Sequence, residues 1–270
     1  MKKPLSVLVL SSLLLTACGD SAEEEKTLPP ASAEELYNKA RDQVDEQEYT
    51  EAVTAFEEVE RQHPYSELAP HSQVMAAFSY YQVRKYDEAI DILERYVRLY
   101  PGEESAPYAY YLIALSYYEQ ISDVGRDQKM TQLAMQALRD VIRRFPNSEY
   151  ARDAKIKLDL TIDHLAGKEM EIGRYYLVRD DYVAAANRFR YVVETYETTT
   201  HAEEALHRLV EIYLRLGVID EARRYASVLG HNYPRSIWYR DSYRLLTGED
   251  VKTATGSQEE DSWWDNVTPW

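Results

Sequence analysis

Residues 70–101, PHSQVMAAFSYYQVRKYDEAIDILERYVRLYP, decide the architecture. Val74, Ala77, Phe78 and Tyr81 recur at three-and-four spacing, and so do Tyr86, Ala89, Ile90, Leu93, Tyr96 and Val97, which marks two amphipathic helices. Arg84 and Lys85 lie between the stripes, at a turn. Ala77 and Ala89 are small enough to let the helices approach closely. Pro101 ends the second helix because the residue before a proline is pushed out of the α region. The stretch reads as a helix-turn-helix unit of about 34 residues.

The unit recurs. Its second-helix alanine has counterparts at Ala52, Ala89, Ala134, Ala185 and Ala222, spaced by 37, 45, 51 and 37 residues. Four residues after each marker comes a core residue, Phe56, Leu93, Leu138, Phe189 and Ala226, of which Ala226 is the weakest. Eight residues further on stand Pro64, Pro101, Pro146 and Pro234, with Glu197 replacing the fourth proline in chain order. The small positions on the first helices are Ala40, Ala77, Ala114, Gly173 and Val210. This ladder of alanine, aromatic and proline resembles the tetratricopeptide repeat. The resemblance implies an all-α fold, a right-handed α-solenoid of five tetratricopeptide repeats over residues 33–246, with a long helix after the third repeat.

Residues 1–17 carry Lys2 and Lys3, then the apolar run Leu5 to Leu15, which is too short to cross about 30 Å of hydrocarbon and reads as a signal peptide. Leu15, Thr16, Ala17 and Cys18 resemble a bacterial lipobox, which implies acylation of Cys18 by diacylglycerol and an N-acyl chain such as palmitate after cleavage at Ala17. Gly19 stands where an Asp commonly keeps lipoproteins at the inner membrane, so the outer membrane, facing the periplasm, is the expected location. Cys18 is the only cysteine, and an intramolecular disulfide has no second partner. Residues 18–32 are acidic and proline-containing and read as a lipidated flexible tether. Removal of Lys2 and Lys3 takes the formal charge from −16 to −18, which gives no general attraction for nucleic acid and makes acyl chains the means of membrane attachment.

Within the repeats, Ser32 and Glu35 match a capping box at the start of the first helix. Residues 33–146 hold repeats 1–3. The third carries eight extra residues, Ile121 to Gln128, in its turn, either a contact point or a tolerated bulge. Residues 147–246 hold the long helix, repeats 4–5 and a closing helix that includes Ile237, Trp238, Tyr243, Leu245 and Leu246. The pattern from Asn147 to about Arg179 reads as one helix that serves as a hinge or spacer, with Gly167 costing about 1 kcal/mol relative to alanine; two helices broken at Ala166 and Gly167 is the alternative. Residues 247–270 read as a disordered tail in which Trp263, Trp264 and Trp270 are either a docking motif or part of a mobile end.

Candidate chemistry is sparse. There is no Gly-rich phosphate loop and no His-Glu-x-x-His, and His63, His71, His164, His201, His207 and His231 have no metal-ligand spacing. No enzyme, metal or cofactor is expected beyond the acyl chains on Cys18. The chain offers a surface instead. In tetratricopeptide arrays the first helix of each repeat lines a concave groove, which here brings forward Tyr37, Arg41, His71, Phe78, Tyr81, Tyr108, Tyr111 and Tyr118. These positions lack the Lys and Asn clamp that tetratricopeptide chaperone adaptors use on a peptide carboxylate. The 24 Tyr against 4 Phe suit recognition of extended peptides, and Tyr80, Tyr86 and Tyr117 fall at core positions.

The lipobox, the repeats, the segments HPYSELAPHSQ at 63–73 and RFPNSEYARDA at 144–154, and the long helix together resemble the lipoprotein family of the outer-membrane β-barrel assembly machinery. The resemblance implies a non-enzymatic assembly factor. Its N-terminal repeats would capture the aromatic-ended C-terminal strand of unfolded outer-membrane proteins. Its repeats 4–5 would meet the periplasmic domain of the barrel subunit, and accessory lipoproteins would be further partners. A periplasmic scaffold organising cell-wall or division proteins is the alternative.

Overall fold

The computed structural model describes residues 31–249. Cys18, the leader and tether before residue 31, and Trp263, Trp264 and Trp270 lie outside them. Eleven α-helices and no strand occur among the described residues. They are α1 (Ala33–Asp45), α2 (Tyr49–Gln62), α3 (Leu68–Gln82), α4 (Tyr86–Leu99), α5 (Ala106–Tyr118), α6 (Lys129–Arg144), α7 (Glu149–Val178), α8 (Tyr182–Thr195), α9 (Ala202–Arg215), α10 (Ile219–Asn232) and α11 (Ile237–Thr247). Each odd-numbered helix up to α9 packs on the next, each such pair stacks on the one before, and α11 packs on α9 and α10.

The small-residue ladder is the axis of this packing. Ala40, Ala52, Ala77, Ala89, Ala114, Ala134, Ala185, Val210 and Ala222 are fully buried, as are Leu93, Leu138, Phe189 and Ala226. Opposed positions compensate in volume. Phe56 shares a core with Ala40, Leu93 with Ala77, and Leu138 with Ala114. Phe189 is matched by Gly173, where a Cβ would stand 2.5 Å from Phe189 Cε1. The weak Ala226 is accounted for by Val210, which supplies the missing volume from the other side of the same core.

The helix ends repeat one conformation. His63, Tyr100, Phe145 and Tyr233 precede Pro64, Pro101, Pro146 and Pro234, with φ between −132° and −128° and ψ between 52° and 56°. Each donates its N–H to the carbonyl four residues back. Tyr196, before Glu197, has φ −125° and ψ 37° and makes the same bond to Val192, so packing holds the exit there without a proline. The turns between paired helices use a left-handed residue, Gln47 at φ 63°, Arg84 at 60°, Asp180 at 59° and Gly217 at 75°.

Between α6 and α8 the chain runs as one helix. α7 is 30 residues long, and Ser148 Oγ caps it by accepting the Ala151 N–H at 3.1 Å. It passes through Gly167 unbroken, packing on α5 and α6 as well as on α8. Gly167 is not a weak point in solvent. It is buried, and an added Cβ would stand 3.2 Å from His201 Nε2 and 3.8 Å from Val124 Cγ1. Tyr80 and Tyr117 pack against the core of the second and third helix pairs while staying half-buried, and Tyr86 is half-buried beside Tyr81. Half-burial leaves a polar tip free to find a partner at the surface, as when the Tyr80 hydroxyl donates to Glu57 at 2.9 Å. No helix among the described residues is long and apolar enough to cross a membrane.

Candidate peptide-binding surface

The first helices α1, α3, α5 and α7 touch one another in series, so residues on their shared side form one continuous layer. At its centre the side chains of three helices converge. Tyr111 lies on the Tyr150 ring at 5.3 Å between centroids, and Tyr108 lies on the same ring at 5.6 Å. Tyr81 stands edge-on to Tyr86 at 5.5 Å, and its hydroxyl is 3.5 Å from Glu119 Oε1. The Tyr111 hydroxyl donates to Asp153 Oδ2. Lys157 lies 3.5 Å from that carboxylate, with its ammonium 5.2 Å from the centre of the Tyr118 ring. Each of these tyrosines is half-buried, one side packed and the other open.

The hydroxyls of Tyr81, Tyr108 and Tyr111 are held in the neutral form. Burial, reinforced by Glu119, pushes Tyr81 up to about 12. Burial, reinforced by the neighbouring Tyr150 and Tyr81, does the same to Tyr108. Tyr111 is raised by burial and by its bond to Asp153. A phenol that cannot ionise at neutral pH is neither a base nor a nucleophile. What the arrangement can do is present flat apolar faces with hydrogen-bonding tips.

The structure brings together Tyr81, Tyr108, Tyr111 and Tyr118 of the residues expected from sequence. Phe78 sits on the neighbouring stretch, edge-on to Tyr49 at 6.2 Å. Tyr37 packs edge-on to Phe56 at 5.6 Å, inside the α1–α2 pair. Arg41 and His71 are exposed and take no part in this run of ring contacts. The first-helix positions of the first three repeats do not include Tyr49 and Tyr86, which open second helices, or Tyr150, in the first turn of α7. For the second helices the sequence does carry a signal: Tyr49, Tyr86 and Tyr182 each occupy the first residue of one.

The C-terminal pairs carry a different set of groups. His207, buried on α9, has Nδ1 2.8 Å from Ser242 Oγ on α11, and its ring lies 5.1 Å from that of Trp238. Burial pushes its pKa down, against the opposing pull of Glu211. Arg208 pairs with Glu204 at 3.3 Å and with Glu211 at 2.7 Å, and Glu204 also holds Arg174 of α7 at 3.0 Å. Among the described residues no group of His, Cys, Asp and Glu is placed to hold a metal ion.

Comparison with known proteins agrees with this picture. The model of the family YfiO, described as outer membrane lipoprotein, matches residues 29–229. The outer membrane protein assembly factor BamD of Caulobacter vibrioides is 47% identical over 247 residues, covering 91% of this chain and 81% of that one. BamD of Rickettsia prowazekii is 45% identical over 246 residues, covering 91% and 97%. Among solved structures, a tetratricopeptide-repeat protein of Thermus thermophilus covers 80% of this chain and 98% of its own at 17% identity, with a TM-score of 0.38, too low to carry an argument. Matches of this extent to proteins named for one task set aside the cell-wall scaffold and any enzyme class: the chain belongs to the outer-membrane lipoprotein family of BamD assembly factors, with a role in outer-membrane protein assembly.

Proposed function

We propose that the chain serves assembly by binding unfolded barrel precursors on its tyrosine surface and passing them to the barrel subunit, which docks on the C-terminal helix pairs. One observation carries the reading. Tyr81, Tyr108, Tyr111 and Tyr150, from three helices, meet in one half-buried surface whose tips are engaged by Glu119 and Asp153. An extended strand with alternating apolar side chains and an aromatic end would lay its rings against these. Each well-oriented aromatic pair contributes about 0.5–1.5 kcal/mol beyond its area. With their protons given to Glu119 and Asp153, the Tyr81 and Tyr111 hydroxyls would accept main-chain N–H groups. Acyl chains on Cys18 would hold the protein on the periplasmic face of the outer membrane, and accessory lipoproteins would complete the complex.

The test is fluorescence anisotropy of a labelled peptide with alternating apolar residues and a C-terminal Phe. Phe78→Ala with Tyr111→Ala should weaken binding by about tenfold or more, the effect of losing interface aromatics. Unchanged affinity in a variant of native helicity would sink the reading. Replacing Cys18 by Ser should move the protein from the membrane to the soluble fraction; retention in the membrane would refute the anchor.

A further inference from the structure

The turn between α5 and α6 is built as a fixed object. The nearly buried Gln128 side chain donates from Nε2 to the carbonyls of Val124 and Arg126 at 3.2 and 3.1 Å, and its Oε1 accepts from the Thr131 hydroxyl at 2.9 Å. Asp123 Oδ1 accepts the Gly125 N–H at 2.8 Å. From α7, Lys168 Nζ donates to the Gly125 carbonyl at 3.1 Å. The turn therefore lies against the middle of α7, over Gly167. The turn between α8 and α9 is fastened to the same place, where Asp163 Oδ1 accepts the Thr200 N–H at 3.1 Å and the Thr200 hydroxyl at 2.8 Å. Three segments distant in sequence thus enclose a cleft of about 390 Å³.

Carboxylates dominate its wall. Asp123, Asp163 and Glu171 line it with His201, whose Nε2 is 3.6 Å from Asp163 Oδ2; Glu171 pairs with Lys168 at 3.4 Å, and the one arginine, Arg174, is held by Glu204 at 3.0 Å. His164 also lines it, with Nε2 buried and without a hydrogen-bond partner. At the mouth, Leu160 and Ile156 are 56% and 63% exposed, one helical turn apart on one face of α7. Aliphatic side chains exposed to this degree beside a fixed acidic cleft are the pairing expected of an anchor site.

We infer that this cleft and the Ile156–Leu160 step bind a partner-protein segment bearing an Arg or Lys next to an apolar residue, with the cation entering among Asp123, Asp163 and Glu171. Charge complementarity selects the cation, because Lys168 and Arg174 are each held by one glutamate while Asp123 and Asp163 keep their charge without a lysine or arginine partner. The exposed step selects the aliphatic neighbour. None of the surface tyrosines takes part, so this site stands independently of the precursor-binding reading.

The experiment titrates the full mature chain, ¹⁵N-labelled and in detergent, with acetyl-Ala-Arg-Leu-Leu-Ala-amide and with the same peptide carrying Glu in place of Arg. Saturable shifts of the Gly125, Leu160 and Gly167 amides are expected from the arginine peptide and not from its glutamate counterpart. Asp123→Asn with Glu171→Gln keeps the shape of both side chains and should weaken binding by about tenfold, as loss of charge partners at an interface does. Leu160→Ala, at an exposed position, should also weaken it. The inference is overturned by equal shifts from both peptides, by no saturable shift into the millimolar range, by unchanged affinity in the double variant, or by shifts that grow with protein concentration alone, which would assign the face to a second copy of the chain.

Discussion

Gly173→Ala tests the volume matching that holds the helix pairs together. In an exposed helix this change would stabilise by about 0.8–1.0 kcal/mol, since alanine loses less backbone entropy. Here the new Cβ would stand 2.5, 2.8 and 2.9 Å from Phe189 Cε1, Cζ and Cδ1. Carbon atoms rest about 3.5–4.0 Å apart, so the ring must retreat by about 1 Å. It has nowhere to go, because Phe189 is fully buried among Met170, Ala185 and Val192, which are buried as completely. Overpacking costs about 1–3 kcal/mol, and three contacts under 3.0 Å against a fully buried ring place this site in the upper half of that range, so after the helix gain a net loss of about 1–2 kcal/mol is expected. Urea denaturation of the mature chain followed by circular dichroism would measure it. Phe189→Leu should cost stability alone but recover part of the loss in the Gly173→Ala background, a coupling that independent sites would not show. A Gly173→Ala variant as stable as the wild type would refute the reasoning, because propensity would then have prevailed over packing.

The remaining predictions concern ends, turns and protons. Arg84→Gly should raise stability by about 0.5–1 kcal/mol in thermal melts, since the residue sits at φ 60°, where a Cβ is strained. Ser148→Ala should lower stability by about 1 kcal/mol and increase amide exchange in the first turn of α7, whose Ala151 N–H loses its cap. His207 has a folded pKa below its unfolded value, so the unfolded chain binds more protons and stability falls as pH drops below about 6.5. That contribution is complete above the unfolded pKa and is lost toward the folded one. Comparing urea midpoints at neutral and mildly acidic pH should show the decline, and His207→Gln should reduce it.

The repeat register was legible because helix packing demands small residues where axes cross, and a 37-residue interval of buried alanines has no other source. Gly167 is ambiguous in the sequence, because a glycine in a helix looks the same whether it loosens the chain or admits a neighbour. What decides is His201 and Val124, distant in sequence. Gln47, Arg84 and Asp180 carry no sign of their left-handed backbone, since the strain is carried by packing of the flanking helices. Tyr81, Tyr108, Tyr111 and Tyr118 were visible from first-helix positions. Tyr150 was not, because it belongs to the surface only once the start of α7 is laid beside α5.

The tyrosines between the first helices give the surface its logic. Phe56 and Phe189 are sealed inside helix pairs, where a hydroxyl would have no partner. The half-buried rings between the first helices are mainly tyrosines, and Glu119 and Asp153 engage the tips of Tyr81 and Tyr111. A phenylalanine surface of the same extent would gather other chains without discrimination. With the tips engaged, the rings are oriented and the carboxylates satisfied, and what remains open is the flat apolar face. On the proposed reading such a face would meet another aromatic chain at reduced cost, because the ordering of its side chains has already been met in folding.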